Sequence, residues 1–134
     1  MMRSDSPAPA VQVLRPQTAQ AVRRMLELAA GEEGTAASAR VPGYRVAGKT
    51  GTARKLRDGR YTDAYVASFV GFAPAAQARV VIAVMIDDPR GGRYYGGDVA
   101  APVFSQVAAG TLRALQVAPQ ALALAAGETA TSTR

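Results

Sequence analysis

From Val46 to Thr52 the chain reads Val-Ala-Gly-Lys-Thr-Gly-Thr, which sets one lysine between two glycines with two hydroxyls close behind. Such a set suits anion binding, and three readings of it differ in what holds it. Read as an extended strand, Thr50 and Thr52 share one face and can both donate to a carboxylate. Lys49 then supplies a fixed positive charge beside them. Gly51 removes a side chain where an extended peptide could lie along the strand edge, and the N–H of Thr52 is placed to stabilise a developing oxyanion. Read as a loop, Gly43-x-x-x-x-Gly48-Lys49-Thr50 satisfies the phosphate-binding P-loop pattern letter for letter. In the third reading the stretch is an ordinary hairpin strand whose glycines only relieve crowding.

The flanking elements separate these readings. A P-loop needs a buried strand before its first glycine and a helix after its last hydroxyl, so that backbone N–H groups wrap phosphates at the helix start. Here Ser38-Ala39-Arg40-Val41-Pro42 precedes Gly43 and is no buried strand, Tyr44 to Ala47 is β-prone, and Gly51 follows Thr50 without helical periodicity. Strands are predicted at about 44–54, 64–73 and 79–87. Asp58-Gly59 between the first two favours a tight hairpin turn, and only Pro74 to Ala78 join the second to the third. A parallel crossover needs a dozen or more residues, so both pairs must be antiparallel. The apparent magnesium-binding strand Val84-Met85-Ile86-Asp87 therefore belongs to a meander and not to a parallel nucleotide-binding sheet.

A helix is predicted from Pro16, with Ala19, Val22, Met25, Leu26 and Ala29 on its apolar side and Arg23, Arg24 and Glu27 facing away, ended by Gly31. Residues 31–40 have turn chemistry. A second helix follows the glycine-rich stretch after Asp88, with Asp98 as N-cap, Pro102 in the first turn, and Val99, Val103, Phe104, Val107, Thr111, Leu112 and Leu115 as its buried stripe. The run Val80 to Ile86 is apolar on both faces and carries no edge-guarding charge, the pattern of an interior strand covered on each side. It implies a wider sheet, with a further strand beyond residues 80–86.

The 134 residues are the size of one domain or part of one, 49% hydrophobic and 19% charged, as in soluble globular chains. The net charge of +6 is spread over 16 basic residues, all arginine except Lys49 and Lys55, with Arg23-Arg24 the only adjacent arginines and Arg54-Lys55 the only other adjoining basic pair. A nucleic-acid surface would cluster them and interleave aromatics, so no nucleic-acid partner is expected. Cysteine, histidine and asparagine are absent from the sequence, which excludes thiolate or imidazole metal sites and a Ser-His-Asp triad within it. No run approaches the ~18 apolar residues of a membrane span, and no signal-peptide core follows Met1.

Beyond the Lys-Thr-Gly-Thr tetrad, several stretches occur in the order of the landmarks of class B penicillin-binding proteins. They are Val46 to Lys55, Ala67-Ser68-Phe69-Val70-Gly71-Phe72-Ala73-Pro74, Tyr94-Tyr95-Gly96-Gly97 and Ala100-Ala101-Pro102-Val103-Phe104. Over about residues 11–119 the chain resembles the cell-division D,D-transpeptidases that cross-link septal peptidoglycan. The resemblance implies an α+β fold: a three-stranded antiparallel meander flanked by helices, as an incomplete piece of the β-lactamase/transpeptidase-like fold. It also implies acyl transfer through a serine that attacks the D-Ala-D-Ala stem peptide and is acylated by β-lactams.

On that resemblance Lys49 and Thr52 are the catalytic candidates. Lys49 would set the cleft electrostatics and bond the second-motif serine, and the Thr52 N–H would form half of the oxyanion hole. Thr50, Gly51 and Thr52 would hold the substrate, with Arg54, Tyr94 and Tyr95 lining the ligand side. No cofactor or metal is implied, and partners would be stem peptide, β-lactams and the missing N-terminal part of the same domain. The family's Ser-x-x-Lys and Ser-x-Asn are not in the sequence, and Ser38, Ser68 and Ser105 have no basic partner at the required spacing.

The expectation is a lead over 1–15, a partial transpeptidase domain over 16–118 and a flexible tail over 119–134, inactive alone, with no anchor of its own and with the complete protein on the periplasmic side of the cytoplasmic membrane. The competing classes are a P-loop nucleotide-binding protein and a non-catalytic interaction module that pairs through its open edge.

Overall fold

A computed structural model describes residues 11–120. Helix α1 spans Pro16–Ala29, strands β1, β2 and β3 span Ala47–Arg57, Arg60–Ala73 and Val80–Asp87, and helices α2 and α3 span Gly96–Val99 and Ala101–Ala114. The strands form one sheet in the order β1-β2-β3, antiparallel throughout, as the short connections require. No helix among the described residues is long and apolar enough to cross a membrane.

The β1–β2 hairpin runs further than its sequence pattern suggests, closing at the Arg57–Arg60 pair. Asp58 (φ 51°) and Gly59 (φ 75°) both take the left-handed conformation of a two-residue type I′ turn, whose twist matches that of the strands. The ladder breaks once, between Arg54 and Leu56, where Thr62 to Ala64 lie opposite Lys55. There the Thr62 hydroxyl donates to the Lys55 carbonyl at 3.0 Å and accepts from the Ala64 N–H at 3.3 Å, so the irregular step keeps its polar groups paired.

The register sorts the sheet into two unlike faces. Thr50, Phe69 and Val84 form one row of the first face, and Thr52, Ala67 and Ile86 the next. Helix α3 covers this face: Phe104 meets Phe69 edge-on, with centroids 4.7 Å apart, and Ala101, Ala108 and Leu112 complete the helix's buried side. Its small residues let the helix approach the sheet, so the buried stripe runs 101-104-108-112. Val103, Val107 and Leu115, expected within that stripe, remain exposed.

The second face carries the rows Gly51-Ser68-Met85, Lys49-Val70-Ala83 and Ala47-Phe72-Val81. Val70, Val81 and Met85 there are 50%, 71% and 75% exposed. Strand β3 is thus covered on one face instead of two, and its outer edge pairs with no strand among the described residues.

Two further expectations change. Helix α1 lies against β1 but buries no residue fully, and Val22 and Met25 of its expected stripe are exposed. Arg23 and Glu27 turn inward instead, Arg23 donating to the Ala76 carbonyl at 3.1 Å and Glu27 pairing with Arg45. Asp98 is not an N-cap: it lies inside α2, and Ala100 precedes α3 without a side-chain cap, leaving Pro102 in the first turn as the helix-start signal.

At the far end, the Tyr44 hydroxyl donates to the Val117 carbonyl at 2.6 Å, and the Gln120 N–H to that of Gly43 at 2.8 Å. The approach to β1 is thereby tied to the end of α3. The remainder of the expected lead and tail, residues 1–10 and 121–134, lies outside the described residues.

Candidate functional site

Strand β1 is an edge of the sheet, so alternate backbone N–H and C=O groups point outward along Lys49 to Arg54. Lys49 is exposed, and its ammonium donates to the Thr50 hydroxyl oxygen at 2.9 Å. Among the described residues no carboxylate lies within ion-pair distance of it. Two residues on, the Thr52 hydroxyl oxygen accepts the N–H of Gly96 at 3.0 Å. A hydroxyl that accepts from a fixed donor keeps its own proton to give. Both threonines therefore have an acceptor position filled and a donor to spare, beside a cation without a counter-ion. The complementary ligand group is a carboxylate.

Gly96 makes this arrangement possible. It is buried, and a Cβ there would lie 2.6 Å from the Gly51 carbonyl oxygen and closer still to that of Ser68. Only a residue without a side chain lets the loop backbone reach the two paired strands and the Thr52 hydroxyl together. Gly51 has a comparable reason within the molecule itself: a Cβ at that position would meet the Ser68 hydroxyl at 2.6 Å.

The same loop brings its aromatic pair to the end of the site. Tyr94 stacks on Tyr65 with centroids 4.2 Å apart and leans on Tyr95 at 4.6 Å. Arg54, the cross-strand partner of Tyr65, donates to the Tyr65 hydroxyl at 3.2 Å and pairs with Asp63 at 2.8 Å. The bond to Tyr65, with support from Asp63, holds the Arg54 guanidinium above its ordinary value. The Tyr94 phenol is likewise raised, chiefly because it donates to the Tyr95 hydroxyl.

Arg54, Tyr94 and Tyr95, named from the sequence, are thus joined through Tyr65, which the sequence reading passes over. Its signal is positional, since it faces Arg54 across the hairpin. Gly96 is the other residue that reading misses, and its Gly-Gly context is the only sequence trace of the close approach. The P-loop reading fails on geometry: Gly48-Lys49-Thr50 continues into an antiparallel strand, and no helix follows it.

An edge strand carrying Lys-Thr-Gly-Thr, backed by an antiparallel sheet and a C-terminal helix, defines a family. The chain belongs to the penicillin-binding protein transpeptidase domains: the family model described as "Penicillin binding protein transpeptidase domain" matches residues 2–109. Among its relatives is the peptidoglycan D,D-transpeptidase FtsI of Escherichia coli K12, 44% identical over 119 residues, which are 88% of this chain and 20% of that protein. The probable peptidoglycan D,D-transpeptidase PbpC of Pseudomonas aeruginosa is 48% identical over 112 residues, 83% of this chain and 20% of that one. The TP domain of Burkholderia pseudomallei penicillin-binding protein 3 superposes with a TM-score of 0.77 at 46% identity, covering 89% of this chain and 36% of that chain. The chain therefore spans about a fifth of the length of the curated relatives it matches.

Proposed function

We propose that this chain supplies the Lys-Thr-Gly wall of a peptidoglycan D,D-transpeptidase cleft. In this reading Lys49, Thr50 and Thr52 bind the terminal carboxylate of a stem peptide or of a β-lactam, and the Thr52 N–H faces the oxyanion of the acyl intermediate. Arg54, Tyr94 and Tyr95 line the ligand side. The serine nucleophile and the proton-transfer motif come from the rest of the domain. The work is cell-wall cross-linking during division, on the periplasmic side of the cytoplasmic membrane. The observation that carries the reading is the exposed Lys49, which has no counter-ion among the described residues, beside two threonine hydroxyls whose acceptor positions are already engaged. Catalytic groups of such a site act as a unit, so one wall alone leaves no acylation.

The test grafts residues 11–119 into the Burkholderia pseudomallei domain in place of its matching segment. The chimera should be acylated by labelled penicillin, and Lys49→Ala should slow acylation by about a hundredfold or more, the usual cost of removing a preorganised charge-stabilising group. A folded chimera that acylates equally well with alanine at position 49 would refute the assignment. The isolated chain should form no covalent penicillin adduct by intact mass.

A further inference from the structure

We infer that the end of the sheet beyond Arg54, which carries Arg57, Arg60, Arg90 and Arg93, binds the carboxylates of the second peptidoglycan strand, the one whose amine accepts the acyl group. The inference rests on the cleft reading above and adds a site for the other substrate. These arginines are far apart in the sequence, and the fold gathers them. Arg57 and Arg60 flank the β1–β2 turn. Residues 88–95 leave β3 beside the same end of β2, where the Asp88 N–H donates to the Tyr65 carbonyl at 2.8 Å and Tyr94 stacks on the Tyr65 ring.

All four arginines are exposed, and none lies within ion-pair distance of a carboxylate among the described residues. The neighbouring cations differ, since Arg54 is paired with Asp63 and Lys55 with Asp87. Asp58 and Asp88 are the other carboxylates here, so four arginines without partners stand against two such carboxylates. Arg57 and Arg60 also lie directly opposite each other in the last pair of the ladder. Like charges so placed destabilise a hairpin. The turn needs only Asp58 and Gly59 to close, so folding gives no reason for the two arginines, whereas an anion between them would relieve their repulsion. On the loop, Gly91 (φ 91°) and Gly92 (φ 80°) turn the chain where an added Cβ would meet nothing within 4 Å. That turn holds Arg90 and Arg93 out in solvent.

Position separates this end from the cleft. Strand β1 advances about 3.3 Å per residue, which puts Arg57 roughly 17 Å beyond Thr52. A carboxylate held by Lys49, Thr50 and Thr52 cannot also reach it. Cross-linking needs a second anionic strand at the same moment. The amine of that strand attacks the acyl-serine ester: an amide bond forms, the ester bond breaks, and the proton released by the amine ends on the serine oxygen. Arginines past the Tyr94 end would hold the incoming strand by its stem-peptide carboxylates while the donor occupies Lys49 to Thr52. Leu56 and Tyr61, exposed beside the same arginines, would suit an anionic membrane instead, which the test includes.

The experiment titrates the full chain with soluble, uncross-linked peptidoglycan strands at low and at physiological salt. Parallel titrations use strands whose carboxylates have been amidated, and phosphatidylglycerol vesicles. Arg57→Ser with Arg60→Ser, and Arg90→Ser with Arg93→Ser, should each weaken strand binding roughly three- to tenfold at low salt, the scale of two exposed ion pairs, and flatten its salt dependence. Circular dichroism should not change, because all four side chains are exposed. Arg79→Ser with Arg113→Ser, exposed arginines elsewhere in the fold, should alter binding less than about twofold. In the chimera the arginine changes should leave penicillin acylation as it was, and the acylated chimera should bind strands as well as the free one. A chimera that is never acylated sinks the cleft reading, while arginine-dependent strand binding by the full chain would still support this site. Equal binding by the parent and both arginine variants, an equal loss in the Arg79 and Arg113 variant, undiminished binding of amidated strands or vesicles, or loss of strand binding on acylation would overturn the inference.

Discussion

Replacing Gly96 with alanine measures how closely the loop before α2 is pressed onto the sheet. The added Cβ would stand 2.6 Å from the Gly51 carbonyl oxygen and nearer still to that of Ser68, and both atoms belong to the backbones of paired strands. Neither can rotate away, so the loop must lift. Lifting stretches the 3.0 Å bond from the Gly96 N–H to the Thr52 hydroxyl. Overpacking of this kind costs about 1–3 kcal/mol, and the lost hydrogen bond about 1 kcal/mol more. The sum, roughly 2–4 kcal/mol, is a large fraction of the total stability of a small domain. Urea denaturation followed by circular dichroism gives the total, and exchange of the residue 96 amide tests whether the loop is what moved. Gly110→Ala is the matched control, because a Cβ there meets nothing within 4 Å and the residue lies inside α3. It should stabilise the chain by about 0.5–1 kcal/mol. A Gly96→Ala protein as stable as the parent, with an unchanged amide exchange rate, would refute the argument.

Two further perturbations probe the core and the aromatic end of the site. Phe104→Ala removes the buried ring that meets Phe69 edge-on and should cost about 3–5 kcal/mol, seen as a large drop in melting temperature; a shift of only a degree or two would mean that α3 does not anchor the sheet. Tyr95→Phe should bring the titration of Tyr94 back down toward the ordinary tyrosine value of 10.0, read from phenolate absorbance. The sign follows from the raised value in the folded state. The stabilisation tied to the Tyr94–Tyr95 bond is complete below the unfolded-state value and fades as pH rises through the folded-state one, so the parent should lose that increment in alkali and the variant should not. An identical Tyr94 titration in the two proteins would show that the bond does not control it.

Local and short-range features were legible without the fold. The meander follows from connections too short for a crossover, the hairpin turn from Asp58-Gly59, and the extended state of Lys49 to Thr52 from the lack of helical periodicity after Gly51. Helix positions were legible too, but not which side each would bury. Helix α3 presents Ala101 and Ala108 to the sheet in preference to the larger Val103 and Val107. Hydrophobicity ranks the valines higher, yet closeness of approach selects the alanines. In α1 the polar Arg23 and Glu27 turn inward because Ala76 and Arg45, far along the chain, stand where their side chains can reach.

The sequence by itself determined the chemistry on offer at the site: one lysine, two hydroxyls and a glycine on a strand edge, with no histidine, cysteine or asparagine anywhere to support a different mechanism. Tertiary structure decided how that chemistry is held. Counting back from the hairpin turn would set Ala67 opposite Thr50, but the irregular step at Lys55 moves Phe69 there and Tyr65 to Arg54. The bond that fixes the Thr52 hydroxyl comes from Gly96, a residue 44 positions away. No local preference encodes that contact, because it exists only where two backbones pack closely enough to exclude a side chain.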